Sequence, residues 1–171
     1  NDFSVISANT NRRAVIGTAG DINITTANDL RLTNGSFISA VTENDFNAGD
    51  ININAQNLEL RSGGKIVTGT DGKGSAGDIN LTIAKDIKID GENTPTLPSA
   101  NVYYTDYYSE SDDPKSEPLF RERILVDLAS STGLFANGTK NSTGNTGEIN
   151  ISASNIQFQN NANITAAATG G

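Results

Sequence analysis

A chain of 171 residues is long enough to bury a sizeable core, yet only 35% of this one is hydrophobic and it contains no Cys, Met, Trp or His. That composition excludes a disulfide scaffold and the usual zinc or transition-metal ligand sets. The formal net charge of −8 and the pI near 4.4 argue against nucleic acid or an anionic membrane as partner, since either calls for a basic patch. Asn (22) and Gly (17) are abundant, but the apolar residues that remain are mostly Ile and Leu at regular positions, which points to a thin repetitive core and not to disorder. No apolar run approaches the length of a membrane span or a signal-peptide core, so no membrane insertion is expected and any targeting segment would lie outside these residues.

In chain order the first recognisable element is Ser4-Val5-Ile6-Ser7-Ala8, which matches Ser36-Phe37-Ile38-Ser39-Ala40 further on. Next comes Gly20-Asp21-Ile22-Asn23-Ile24, which recurs as Gly49-Asp50-Ile51-Asn52-Ile53, Gly77-Asp78-Ile79-Asn80-Leu81 and Gly147-Glu148-Ile149-Asn150-Ile151, at spacings of 29, 28 and 70 residues. Behind each copy a second apolar pair follows with period-two alternation: Leu30/Leu32, Leu58/Leu60, Ile87/Ile89 and Ile156/Phe158. Alternation of this kind puts both members of a pair on one face of a short strand. A third apolar position falls at Ile38, Ile66 and Ile164, with Phe135 as the expected counterpart. Turn signals between second and third strands are Asn34-Gly35, Gly63-Gly64, Asp90-Gly91 and Asn160-Asn161. Each repeat therefore reads as three short strands and three corners.

Strands this short cannot bury an apolar side alone. Antiparallel hairpins would give no reason for identical residues to recur every 28 or 29 positions, whereas parallel stacking of one repeat on the next brings identical positions about 4.8 Å apart. The expected fold is all-β: a right-handed parallel β-helix of about five turns, one segment over 1–171, with open ends that suit an excerpt from a longer solenoid. Two outward ladders are expected. Asn23, Asn52, Asn80 and Asn150 should hydrogen-bond along the stack, and Asn28, Asn57 and Asn155 should share a corner tolerant of positive φ, with Lys85 as the exception in that column.

The third repeat is interrupted by residues 93–129, an insertion holding all four Pro and all four Tyr residues and a net charge of −4. Loop closure cost grows slowly with length, so one corner can expel such a segment. Leu119 to Leu128 reads as a short helix or strand covering the side of the stack. Tyr103, Tyr104, Tyr107 and Tyr108 form the candidate interaction loop, suited to a surface glycan or protein ligand; packing of the same rings against the stack is the alternative.

The column Asp21, Asp50, Asp78 and Glu148 is the one candidate metal site. Like charges so stacked repel by about 0.9 kcal/mol per pair even in water, and calcium could bridge them. Bonding of each carboxylate to a corner amide is the favoured reading, so no cofactor is expected. Arg31 and Arg61, taken as matching positions, with Asp29, Glu59, Lys88 and Asp90 nearby, sketch a charged patch of the kind carbohydrate-cleaving β-helices use, though almost any acidic solenoid offers carboxylate pairs. The seven Asn-x-Ser/Thr sequons largely follow from the alternating repeat. Thr25, Thr26, Thr68 and Thr70 do not spell a regular Thr-x-Thr ice-binding array.

Ala-Gly-Asp-Ile-Asn-Ile, followed by Ala-x-Asn-Leu-x-Leu and Gly-x-x-Ile, and then Ser-Thr-Gly-Leu-Phe-Ala ahead of Thr-Gly-Glu-Ile-Asn-Ile, resembles the repeat regions of filamentous-haemagglutinin-like surface proteins, the cyanobacterial ones in particular. The resemblance covers nearly all of the chain except 93–129. It implies export through an outer-membrane two-partner secretion pore, a secreted or cell-surface location, and a part in adhesion or surface structure. The expected function is thus a non-enzymatic extracellular spacer displaying a recognition loop, its neighbours being further β-helix repeats. A filament subunit of identical chains stacked end to end is one alternative, and a polysaccharide lyase or hydrolase is another.

Overall fold

The computed structural model describes residues 4–10, 16–92, 102–104, 122–124, 131–138 and 142–168. Its described residues are all-β, without a helix, and nearly all strands belong to three parallel sheets. Numbered in chain order, sheet A stacks β1 (Val5–Ser7), β4 (Phe37–Thr42), β7 (Lys65–Thr70), β12 (Gly133–Gly138) and β15 (Asn163–Thr165). Sheet B stacks β2 (Ile22–Thr25), β5 (Ile51–Ala55), β8 (Ile79–Ile83) and β13 (Ile149–Ser152), while sheet C stacks β3 (Leu30–Leu32), β6 (Leu58–Arg61), β9 (Asp86–Asp90) and β14 (Asn155–Gln159). The chain visits B, C and A in turn, and each strand pairs with its counterpart one repeat away. Within the insertion, β10 (Val102–Tyr104) and β11 (Glu122–Ile124) form a separate antiparallel pair.

The register follows the sequence repeat. Ile22, Ile51, Ile79 and Ile149 align, as do Asn23, Asn52, Asn80 and Asn150, and Val5 and Ile6 fall on Phe37 and Ile38 as the match between those segments requires. Inward residues of all three sheets form one continuous apolar cluster running from Ile22 to Ala136. Each fully buried Ile or Leu contributes about 1.5–3 kcal/mol through removal of apolar area from water. The buried hydroxyl of Thr68 donates to the Gly77 carbonyl at 2.6 Å, so it enters the core with its hydrogen bond made.

Four sequence expectations need correction. The counterpart of Ile66 and Ile164 is Leu134, while Phe135 aligns with Val67 and points the other way. Arg31 and Arg61 do not match: Arg31 aligns with Glu59, and Arg61 with Asp90. Lys85 leaves no defect in a ladder of Asn28, Asn57 and Asn155, because Asn57 pairs with Asp29 and Asp86, giving the column Asp29, Asn57, Asp86, Asn155. The cause is an extra residue at alternate B-to-C corners: the first inward residues of paired strands, Ile22 and Leu30, Ile51 and Leu58, Ile79 and Ile87, Ile149 and Ile156, show a longer step in the first and third repeats. Finally, positive φ falls at the C-to-A corner, not before the second strand. Asn34/Gly35, Ser62/Gly63 and Asn160/Asn161 all lie in the left-handed region, the signature of a tight I′-type turn, and each turn closes on an N–H to C=O bond from Ser36 to Thr33, Gly64 to Arg61 or Ala162 to Gln159.

Candidate functional site

The three sheets share one core, so what differs between them is the outward face. On sheet A that face is withdrawn from solvent. Every residue of β4 and β7 is buried, and Val41, Val67 and Phe135 form a second apolar cluster apart from the main core. Lys65 lies on this face in register with Phe37 and Gly133. It is 8% exposed, and burial pulls its ammonium pKa down to about 8 because a charge is costly away from water.

Sheet C carries the charged patch anticipated from Arg31 and Arg61. Arg31 Nη2 meets Asp29 Oδ2 at 2.9 Å and its Nε lies 3.4 Å from Glu59 Oε2, while Arg61 Nη1 stands 3.7 Å from the other Glu59 oxygen and Lys88 Nζ 3.8 Å from Asp90 Oδ2. Three cations thus face three of the anions at close range. The arginine side chains are more than half exposed, and pairs of this kind contribute at most about 1 kcal/mol.

At the end of sheet C, Asp90 marks the point where the insertion leaves. Its carboxylate accepts bonds from Asn160 Nδ2 at 2.8 Å, the Glu92 amide at 3.0 Å and Gln159 Nε2 at 2.5 Å. These donors, Asn160 first, hold its pKa near 2 by favouring the charged form. Where the insertion returns, the buried Thr132 accepts the Gly63 amide on its hydroxyl at 2.9 Å, and the Asn163 amide bonds its carbonyl at 2.9 Å. Sequence reasoning singled out Asp90 only as a turn residue and patch neighbour. The signal for its anchoring role lay in Asn160 and Gln159, one repeat later.

Sheet B presents the column Asp21, Asp50, Asp78 and Glu148 beside the Asn ladder. Asp21 Oδ1 accepts the Asp50 amide at 2.9 Å, Asp50 Oδ1 the Asp78 amide at 2.8 Å, and Asp78 Oδ1 the Glu148 amide at 2.8 Å. Each aspartate therefore caps the backbone of its own counterpart one repeat on, the arrangement favoured over calcium from sequence. Among the described residues no group of three or more acidic side chains is placed to hold a metal ion. The Asn ladder forms as expected, with Asn52, Asn80 and Asn150 each donating Nδ2 to the Oδ1 of the preceding Asn at 2.9–3.0 Å.

Tyr103 and Tyr104 lie on β10, aligned with Arg123 and Glu122 of β11; β11 falls inside the segment read as a short helix or strand. Tyr107 and Tyr108, and the expectation that this segment covers the stack, lie outside the described residues. Comparison with protein-family models, curated proteins and solved structures finds no match to this chain.

Proposed function

We propose that this chain is a non-enzymatic structural and adhesive segment of a secreted surface protein, a right-handed parallel β-helix of about five turns acting as a rigid spacer that displays the loop 93–129. The observation that carries the reading is the unbroken register of three parallel sheets visited in cyclic order, reinforced layer by layer by Asn and Asp bonds. The general right-handed preference of a parallel strand–crossover–strand connection within one sheet supports the right-handed sense. Filamentous-haemagglutinin-like architecture, with export through a two-partner pore, fits such a stack. The charged face of sheet C supports display over catalysis, since its carboxylates are engaged by its own cations and amides. A glycan-degrading reading would regain ground if removing Arg31 or Arg61 abolished polysaccharide turnover by the purified chain.

The filament alternative draws on the last repeat, whose inward Ile156, Phe158 and Ile164 are exposed, as open strand edges template further strands. The spacer reading asks instead that the loop 93–129 be what is displayed. Replacing residues 93–129 by a two-residue turn tests it: parallel-β circular dichroism is retained while adherence to a cell or glycan-coated surface is lost. Undiminished adherence would remove the loop from the proposal, and fibres of graded length by electron microscopy would favour the filament.

A further inference from the structure

We infer that the outward face of sheet B is a binding surface for an extended, neutral, β-linked polysaccharide lying along the stack. Of the three outward faces, that of sheet A is buried and that of sheet C is occupied by ion pairs among its own side chains. Sheet B is open. Thr25, Asn54, Thr82 and Ser152 align as an exposed column, two residues along the strands from the Asn ladder and therefore roughly 6.6 Å away from it.

The ladder determines what the amides can offer. A carboxamide has two N–H donors and two acceptor lone pairs. Asn52 and Asn80 each spend one N–H on the preceding Asn and one lone pair on the following one. Each keeps one donor and one acceptor, held in a fixed orientation by bonds on both sides. A donor and acceptor side by side match two neighbouring sugar hydroxyls, and fixing them before binding lowers the ordering cost.

The same set recurs about every 4.8 Å up the stack, close to the advance per sugar of an extended β-linked chain. Successive sugars thus meet equivalent groups, and weak contacts add through one tethered ligand. The carboxylates of Asp21, Asp50, Asp78 and Glu148 flank the ladder, so the field at this face disfavours a polyanion, while the uncharged donor and acceptor of each ladder amide suit the hydroxyls of a neutral chain. This surface extends the adhesive part of the proposed function from the loop to the sheet, and it does not depend on the loop.

The test uses the full chain and two insoluble neutral probes, microcrystalline cellulose and chitin, with retention measured by depletion from solution. Thr25→Glu with Thr82→Glu alters two exposed side chains that carry no ladder bond and lie two layers apart, so circular dichroism and melting should be nearly unchanged. Retention of the unaltered chain on at least one probe, weakened tenfold or more by this double variant, is the expected result. Gln157→Glu on sheet C and the 93–129 deletion should both leave retention intact. No retention on either probe overturns the inference, as does equal loss with Gln157→Glu. Retention lost only on deleting 93–129 assigns binding to the loop, which supports the proposed function while refuting this surface.

Discussion

Ile87 and Ile89 of β9 stand in register with Ile156 and Phe158 of β14, in the same sheet and on the same inward face. The first two are 0% exposed and the second two 43% and 47%. Nothing in the residues themselves accounts for the difference, since all four follow one sequence pattern. What differs is that β9 has β6 on one side and β14 on the other, whereas among the described residues β14 has only β9. In a stack of parallel strands a residue acquires its burial from the repeats on either side, and nearest-neighbour interfaces supply much of the stability.

The largest test of this contrast is Ile89→Ala, which empties a site closed on both sides and should cost about 2–5 kcal/mol by urea unfolding. Phe158→Ala removes a larger side chain from the open layer and should cost under about 1.5 kcal/mol; a loss above 3 would show that an isolated layer is as well packed as a sandwiched one. Lys65 extends the contrast to a charge. Its folded pKa of about 8 lies below the ordinary lysine value of 10.5, so between those pH values the unfolded chain binds more protons and stability rises with pH. Below about pH 8 the lysine is charged in both states and the penalty is fully present. The gain approaches about 3 kcal/mol by pH 10.5, and Lys65→Met should abolish that part of the pH dependence when the two proteins are compared side by side. Asn80→Ala breaks two ladder bonds, at half-buried amides, for about 1–2 kcal/mol. Smallest is Arg31→Ala, at most about 1 kcal/mol, because its partners keep their access to water.

Much of this contrast was legible in the sequence because sheets B and C bury one face only. Asn between two Ile residues marks the outward side, and a recurring Gly-Asp-Ile-Asn fixes which strands align. The reading weakened where that asymmetry fails. On sheet A both faces are buried, so Leu134 and Phe135 are equally apolar and alternation could not say which of them points into the main core. The alternating corner length escaped for a different reason. Counting from the repeat Gly assumes a constant step, and one added residue before β3 and β9 shifts every position after it, which misplaced Asn28 and Lys85 together; Arg61 stands two positions beyond Glu59, the true partner of Arg31. Asp90 was inconspicuous because its donors, Asn160 and Gln159, are distant in the chain and adjacent only through stacking. Of the insertion, the sequence conveyed composition; its Tyr residues are the part of the candidate site for which geometry adds only the pairing of β10 with β11.

The glycine column at the A-to-B corner bears on where this protein could accept foreign sequence. A Cβ on Gly49, Gly77 or Gly147 would run into the carbonyl of the glycine one repeat below, so at that corner main chain rests directly on main chain. The C-to-A corner is as closely packed at Gly64 and Gly91, where a Cβ would meet the Leu32 and Asn160 carbonyls, but open at Gly35. Asn34-Gly35, Ser62-Gly63 and Asn160-Asn161 turn tightly, and at the equivalent position after Asp90 the native chain departs for almost forty residues before rejoining the stack. One edge of the molecule is therefore a glycine seam, and the other a row of tight turns at one of which the chain already leaves the stack. Epitopes or enzymes grafted between residues 34 and 35 or 160 and 161 would inherit an exit that the fold already uses once, spaced along the axis at intervals set by the number of repeats between them.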